Sequence, residues 1–266
     1  LKTNLQCGIF LAALLMLTGT DSAADSGFHD QLIRLPYESA ATGLRREYFV
    51  YLPADYERFP DKKWPVILFL HGNGERGDGL GDLDYVLRHG PLMEAWIQRR
   101  KLPFIIISPQ LPLFGELEAI AERASETRPE RLAQGVPERN YGFPSDLPIQ
   151  RTNADGMPAG WYSTHDPYPK LDKLPAGWDR VDEEVIGMLD TVLQKYRADP
   201  VRVYLTGLSM GGFGSFHLAA KYPKRWAAVA TVVATGRLED ARKLAESRLP
   251  IWMFGGGKDL IVKPHW

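Results

Sequence analysis

Apolar residues gather along this chain in short runs: EYFVYLP (Glu47 to Pro53), PVILFLHG (Pro65 to Gly72), FIIISP (Phe104 to Pro109), VRVYLTG (Val201 to Gly207), AAVATVVA (Ala227 to Ala234) and PIWMFGG (Pro250 to Gly256). From Pro65 onward the runs are nearly continuous in apolar residues instead of alternating. That is the mark of strands covered on both faces, and hence of a parallel sheet. Segments of helical period lie between them. The clearest spans Val181 to Tyr196 and puts Val181, Val185, Met188, Leu189, Val192 and Leu193 on one face. Asp179 is placed to cap it, and Asp182, Glu183 and Glu184 fall where the positive end of a helix favours acidic side chains. Strands alternating with helices predict an α/β fold built on a doubly wound, mostly parallel sheet.

One region breaks this rhythm. From about Leu111 to Trp178 there is no strong strand, while prolines, glycines and aromatics accumulate in RNYGFPSDLPIQ and GWYSTHDPYPKLDKLPAGW. A stretch of that length is uncommon as a plain connection and reads as a lid-like or binding insertion. Trp161, Tyr162, Tyr168 and Trp178 favour that reading over a surface excursion without function, because so many aromatics in a loop need something to bury against. GELEAIAERASE, Gly115 to Glu126, is expected to form a short helix inside it.

Composition narrows the picture. The chain has 266 residues, 44% hydrophobic, which suits one large domain with its own core. Its 32 basic and 33 acidic residues are interspersed and give a formal charge of -1, so nothing marks a nucleic-acid or anionic-surface partner. Near the start, Lys2 is followed by CGIFLAALLML (Cys7 to Leu17) and then by small and polar residues ending Ser22-Ala23-Ala24. This has the layout of a secretory signal peptide covering residues 1–24, with residues 25–266 as the remaining domain. The apolar run is about half the roughly twenty residues that a membrane span requires. A secreted or periplasmic protein without stable membrane association is the expectation. Cys7 is the only cysteine, so the domain after cleavage would have no disulfide and would depend on its core.

Candidate chemistry begins at Gly207-Leu208-Ser209-Met210-Gly211, which fits G-x-S-x-G. The pattern alone is weak, since turns favour both residue types. Its context strengthens it, because VRVYLTG leads in as a strand and FGSFHLAAKYP leads out with helical spacing. A sharp strand-to-helix turn would hold Ser209 in a strained conformation at a helix amino end, with glycines on either side removing clashes. A structural turn serine is the competing reading. Upstream, LFLHGNGERGDG (Leu68 to Gly79) runs from a strand into a glycine-rich turn. A tetrahedral intermediate needs two N–H donors aimed at its oxyanion. Met210 would supply one and Asn73 the other, with Gly74 as its neighbouring alternative; His71 reads as an orienting residue, and Glu75 with Arg76 as a loop-stabilising ion pair.

LHGNGERGDG, ISPQ (Ile107 to Gln110), DPVRVYLTGLSMGGFGSFHLAAKYPKRWAAVA (Asp199 to Ala230) and PIWMFGGGKD (Pro250 to Asp259) together resemble the α/β-hydrolase esterases. The resemblance is to the secreted group related to feruloyl esterases, polyhydroxybutyrate depolymerases and the prolyl-oligopeptidase-like "predicted peptidases". It implies an α/β-hydrolase fold with the insertion at 111–178, and Ser209 as nucleophile of a carboxylic esterase working through an acyl-enzyme. No metal or organic cofactor is called for, and the partner is a small or polymer-linked ester, with plant-polymer or aromatic acyl esters suggested by the family alone. A serine peptidase and a non-catalytic or inactive hydrolase scaffold stand as alternatives.

The same resemblance implies an acid in a turn like H-G-x-x-D after the next-to-last strand. Asp259 matches it, with Gly255 in place of the usual histidine, and Asp240 is the second choice. The base should be a histidine one further strand beyond the acid. Only LIVKPHW follows Asp259, so His265 is the one histidine of this sequence in that order. The expectation is a chain that stops before the last strand and helix of its fold. His217 is expected to be packed in the helix after Ser209, His165 lies in the insertion, and His29 and His89 read as surface or linker residues.

Overall fold

The computed structural model describes residues 29–115, 135–137, 177–257, 259 and 262. The expected signal peptide, the expected short helix beyond Gly115, and Trp161, Tyr162 and Tyr168 lie outside them.

Seven strands form one sheet among the described residues: β1 (Gln31–Ser39), β2 (Leu44–Leu52), β3 (Trp64–Leu70), β4 (Ile105–Ser108), β5 (Ala198–Leu208), β6 (Ala228–Val232) and β7 (Ile251–Phe254). Their order across the sheet is β1-β2-β4-β3-β5-β6-β7. The five strands from β4 to β7 run parallel, and β2 and β1 continue antiparallel at one side. The six apolar runs of the sequence are β2 to β7. β1 has no counterpart among them, because it is an outer strand interrupted by Arg34 and Pro36 and mostly half-buried or exposed. Its edge position is what tolerates the proline.

Three longer helices complete the crossovers: α1 (Asp182–Lys195), α2 (Met210–Lys221) and α3 (Leu238–Ser247). Side chains alternate between two cores on the two faces of the sheet. Tyr48, Val50, Val66, Leu68, Ile105 and Ile107 pack with Val185, Leu189 and Val192 of α1 and Leu218 of α2. Phe49, Tyr51 and Ile106 pack instead with Leu83, Val86, Leu87, Leu92 and Trp96 from the short helical turns between β3 and β4. Both faces of the sheet are therefore covered, which is why these strands read as continuous apolar runs. Among the described residues no helix is long and apolar enough to cross a membrane.

Three expectations change. Asp179 does not cap α1. Val181 takes the N-cap position without a side-chain hydrogen bond, while Asp179 sits in the preceding turn, Trp178–Arg180, and accepts from the Gly177 N–H at 3.2 Å. Trp178 is not a lid aromatic, because it is 2% exposed and belongs to the main core. Burying it draws the chain into that turn just ahead of the helix. β7, read as covered on both faces, is an outer strand among the described residues, and Trp252, Met253 and Phe254 are exposed.

The strand order also locates the site. The chain lays β4 on one side of β3 and then crosses to lay β5 on the other, so the switch in direction falls between β3 and β5. In open α/β sheets a crevice forms outside the carboxyl ends of the strands at such a point. The turn after β3 and the turn after β5 meet there.

Candidate active site

Ser209 follows β5 at the N-cap position of α2, with φ 52° and ψ -117°. A non-glycine residue held at such a backbone conformation costs about 1–3 kcal/mol and persists only where its surroundings enforce it. They do so on both sides. The Ser209 N–H donates to the Val232 carbonyl of β6 at 2.8 Å, and its carbonyl accepts from the Phe213 N–H at 3.1 Å. The flanking glycines permit close approach: a Cβ at Gly207 would lie 2.2 Å from the Gly211 carbonyl oxygen, and one at Gly211 only 1.8 Å from that of Leu70. The strand-to-helix turn at Ser209 is thereby seated directly on the end of β3. Ser209 itself is half-buried, so its hydroxyl is reachable.

The turn after β3 lies beside it. A Cβ placed on Gly72 would be 3.7 Å from the Cβ of Ser209. Asn73, the next residue, opens the 3-10 turn Asn73–Glu75 and is exposed. Met210 is the first residue of α2, where a helical N–H has no acceptor within its own helix. The structure thus places Gly72, the residue before Asn73, against Ser209, which is followed by Met210.

His71 is fully buried, and both of its ring nitrogens are engaged. Nδ1 donates to the Gly72 carbonyl at 2.6 Å, while Nε2 accepts from the Leu111 N–H at 2.9 Å. An imidazole fixed as a neutral ring in this way orients the loop and has no free nitrogen with which to take a proton. Trp178 reinforces it, donating its indole N–H to the His71 carbonyl at 3.3 Å and packing edge-on against the His71 ring.

Glu75 and Arg76, read as a loop ion pair, are both buried and reach to different neighbours. Arg76 donates to the Pro112 carbonyl at 3.1 Å and to the Asn73 side chain at 3.3 Å. Glu75 accepts a short hydrogen bond from His89 Nδ1, and its other oxygen lies 3.9 Å from His71 Nδ1. Burial pushes the Glu75 carboxyl up, but the His89 bond and the neighbouring imidazoles outweigh it and hold the group below its ordinary value. Conversely, the hydrogen bond to Glu75 raises the His89 imidazole above its ordinary value, against partial burial and the charge of Arg88. His89 is thus at the surface, as expected, but tied to a buried carboxylate.

Two side chains missed by sequence reasoning buttress this loop. Gln110, just past β4, donates to the carbonyls of Glu75 (2.8 Å) and Asp82 (2.6 Å) and accepts from the Gly79 N–H (2.8 Å). Arg46 of β2 is buried and donates to the carbonyls of Gly77 and Gln110. The only signal for Gln110 was its place in ISPQ.

Asp259 lies in the turn after β7, half-buried. Its N–H donates to the Gly256 carbonyl at 3.0 Å, and its Oδ1 accepts from the Val262 N–H at 2.9 Å. Asp240, the second choice for an acid, is buried in the first turn of α3, with both oxygens bound by Arg237 at 2.7 and 2.9 Å. His217 donates from α2 to Asp182 of α1 at 2.6 Å, as a packed helix residue would. His165 and His265 lie outside the described residues.

Residues 149–236, which include β5, the elbow, α2 and β6, match the family model described as putative esterase. No curated protein matches the sequence. Similar solved structures include a thermostable esterase (22% identity over 87% of this chain and 48% of that one, TM-score 0.48). A ferulic acid esterase is 15% identical over 88% of this chain and 92% of its own, with a TM-score of 0.43. The S-formylglutathione hydrolase from Staphylococcus aureus is 14% identical over 88% and 91%, with a TM-score of 0.45. The chain spans about half the length of the thermostable esterase. Strand order, elbow and matched segment together give this chain an α/β-hydrolase fold and a resemblance, over residues 149–236, to the putative esterases.

Proposed function

We propose that the protein hydrolyses carboxylic esters through an acyl-enzyme on Ser209. The observation that carries this reading is the strained backbone of Ser209 at the switch point, with the turn after β3 packed alongside it. Strain maintained against a cost of about 1–3 kcal/mol, at a crevice, is what a presented nucleophile requires. In the reaction, a histidine that follows Asp259 in chain order takes the proton of Ser209 as the serine attacks the ester carbonyl. Asp259 holds that imidazole in one tautomer and offsets its charge. The oxyanion is stabilised by the N–H groups of Met210 and Asn73, which make no hydrogen bond to another described residue. The alcohol leaves with the proton returned by the imidazole, and water releases the acid by the same route in reverse. Alkoxide leaving groups need less assistance than amines, which favours esters over peptides.

The test is turnover of p-nitrophenyl esters and of a chromogenic peptide by the full-length protein and its Ser209→Ala variant. Ester turnover that falls by about a thousandfold or more in the variant is expected. Peptide cleavage without ester cleavage, or ester turnover indifferent to the substitution, would overturn the reading.

A further inference from the structure

Glu75 is a buried carboxylate one contact removed from Ser209, and the chemistry above does not use it. A Cβ on Gly72 would touch both, lying 3.3 Å from Glu75 Oε2 and 3.7 Å from the Cβ of Ser209. Burying a carboxylate is costly unless it is paired and hydrogen-bonded, so its presence here needs a reason. Its contacts supply one. The side chain accepts from His89, ahead of the helical turn Gly90–Leu92, and lies 3.9 Å from the His71 ring just after β3, while its backbone carbonyl is held by Gln110. His89 is half-exposed, and its Nδ1 is held by the Glu75 carboxylate.

We propose that Glu75 is a positioning residue: held by His89 and facing His71, its carboxylate fixes the backbone of Asn73–Glu75 so that the Asn73 N–H stays beside Ser209. This rests on the esterase reading of Ser209 and Asn73. The clamp is an ion pair between the lowered value of Glu75 and the raised value of His89. Glu75 faces His71 and His89, and His89 faces Glu75 and Arg88. His89 is held charged above its ordinary value, so the pair is intact below that value and weakens as pH rises through the raised one. An alkaline fall in kcat follows.

Steady-state kinetics on a p-nitrophenyl ester, with thermal unfolding as a check, would compare the full-length protein with Glu75→Gln, His89→Gln and Ser209→Ala. Losing an oxyanion donor outright costs about a hundred- to a thousandfold in kcat. Loosening one should cost Glu75→Gln about tenfold or more, with KM within about twofold of wild type. His89→Gln, a half-exposed change that the fold tolerates, should lower kcat less and remove the alkaline fall. Wild-type kcat in both variants, or a loss matched by the fraction unfolded, would overturn this inference alone. Absence of Ser209-dependent turnover in the wild type would overturn it together with the esterase reading.

Discussion

Gly211 shows how little room the elbow leaves. A methyl group there would lie 1.8 Å from the Leu70 carbonyl oxygen and 2.6 Å from that of His71, both of them backbone atoms that cannot swing aside. Gly211→Ala should therefore push α2 off the end of β3 and cost about 3 kcal/mol, the upper part of the usual overpacking range. Urea unfolding would show this as a lower midpoint at unchanged slope; an unchanged midpoint would contradict the packing described. G-x-S-x-G was legible because the pattern resides in consecutive residues. The Glu75–His89 pair was not, since its members are 14 positions apart and only the fold of the intervening turns brings the imidazole to the carboxylate. The pairing of Asp240 with Arg237 was hidden for a related reason: a carboxylate after a strand has the same sequence signature whatever partner it binds.

Elements carry their own consequences. The amide of Gln110 makes three of the hydrogen bonds that hold the loop after β3, and Gln110→Leu would leave the carbonyls of Glu75 and Asp82 and the Gly79 N–H without that partner. Unsatisfied buried groups cost about 1–3 kcal/mol each. Faster hydrogen exchange at the Gly79 amide is expected, and unchanged protection would argue that the loop is held elsewhere. Between α1 and α2, Asp182 accepts from His217 and Lys221. Burial would raise Asp182, but these two partners outweigh it and hold the carboxyl below its ordinary 3.8. A depressed carboxylate stabilises the fold above its unfolded pKa, and that contribution disappears as pH falls through the folded value. Asp182→Asn should thus lose about 1–3 kcal/mol at pH 7, with the difference from wild type shrinking below about pH 4 in parallel urea titrations. A gap that stayed constant with pH would rule out the ion pair as its cause. The helix itself was legible from its apolar period. Its cap was not, because the burial of Trp178, a tertiary demand, decides where the chain turns.

At the scale of the molecule, six of the seven described strands could be read because covered strands announce themselves as continuous apolar runs. β1 lies at the edge, alternates irregularly and carries a proline, so no run marks it. Which strands neighbour one another was not legible in any single segment. Only the assembled order shows that the turns after β3 and β5 share the switch point, and so that Gly72 and Ser209, 137 positions apart, are neighbours. The esterase account stands on that meeting. Its most direct test is intact-mass and peptide mapping of the full-length protein after exposure to a fluorophosphonate. One phosphonyl group per chain, carried on Ser209 and absent from Ser209→Ala, is the predicted result; labelling at another residue, or none in folded protein, would contradict it.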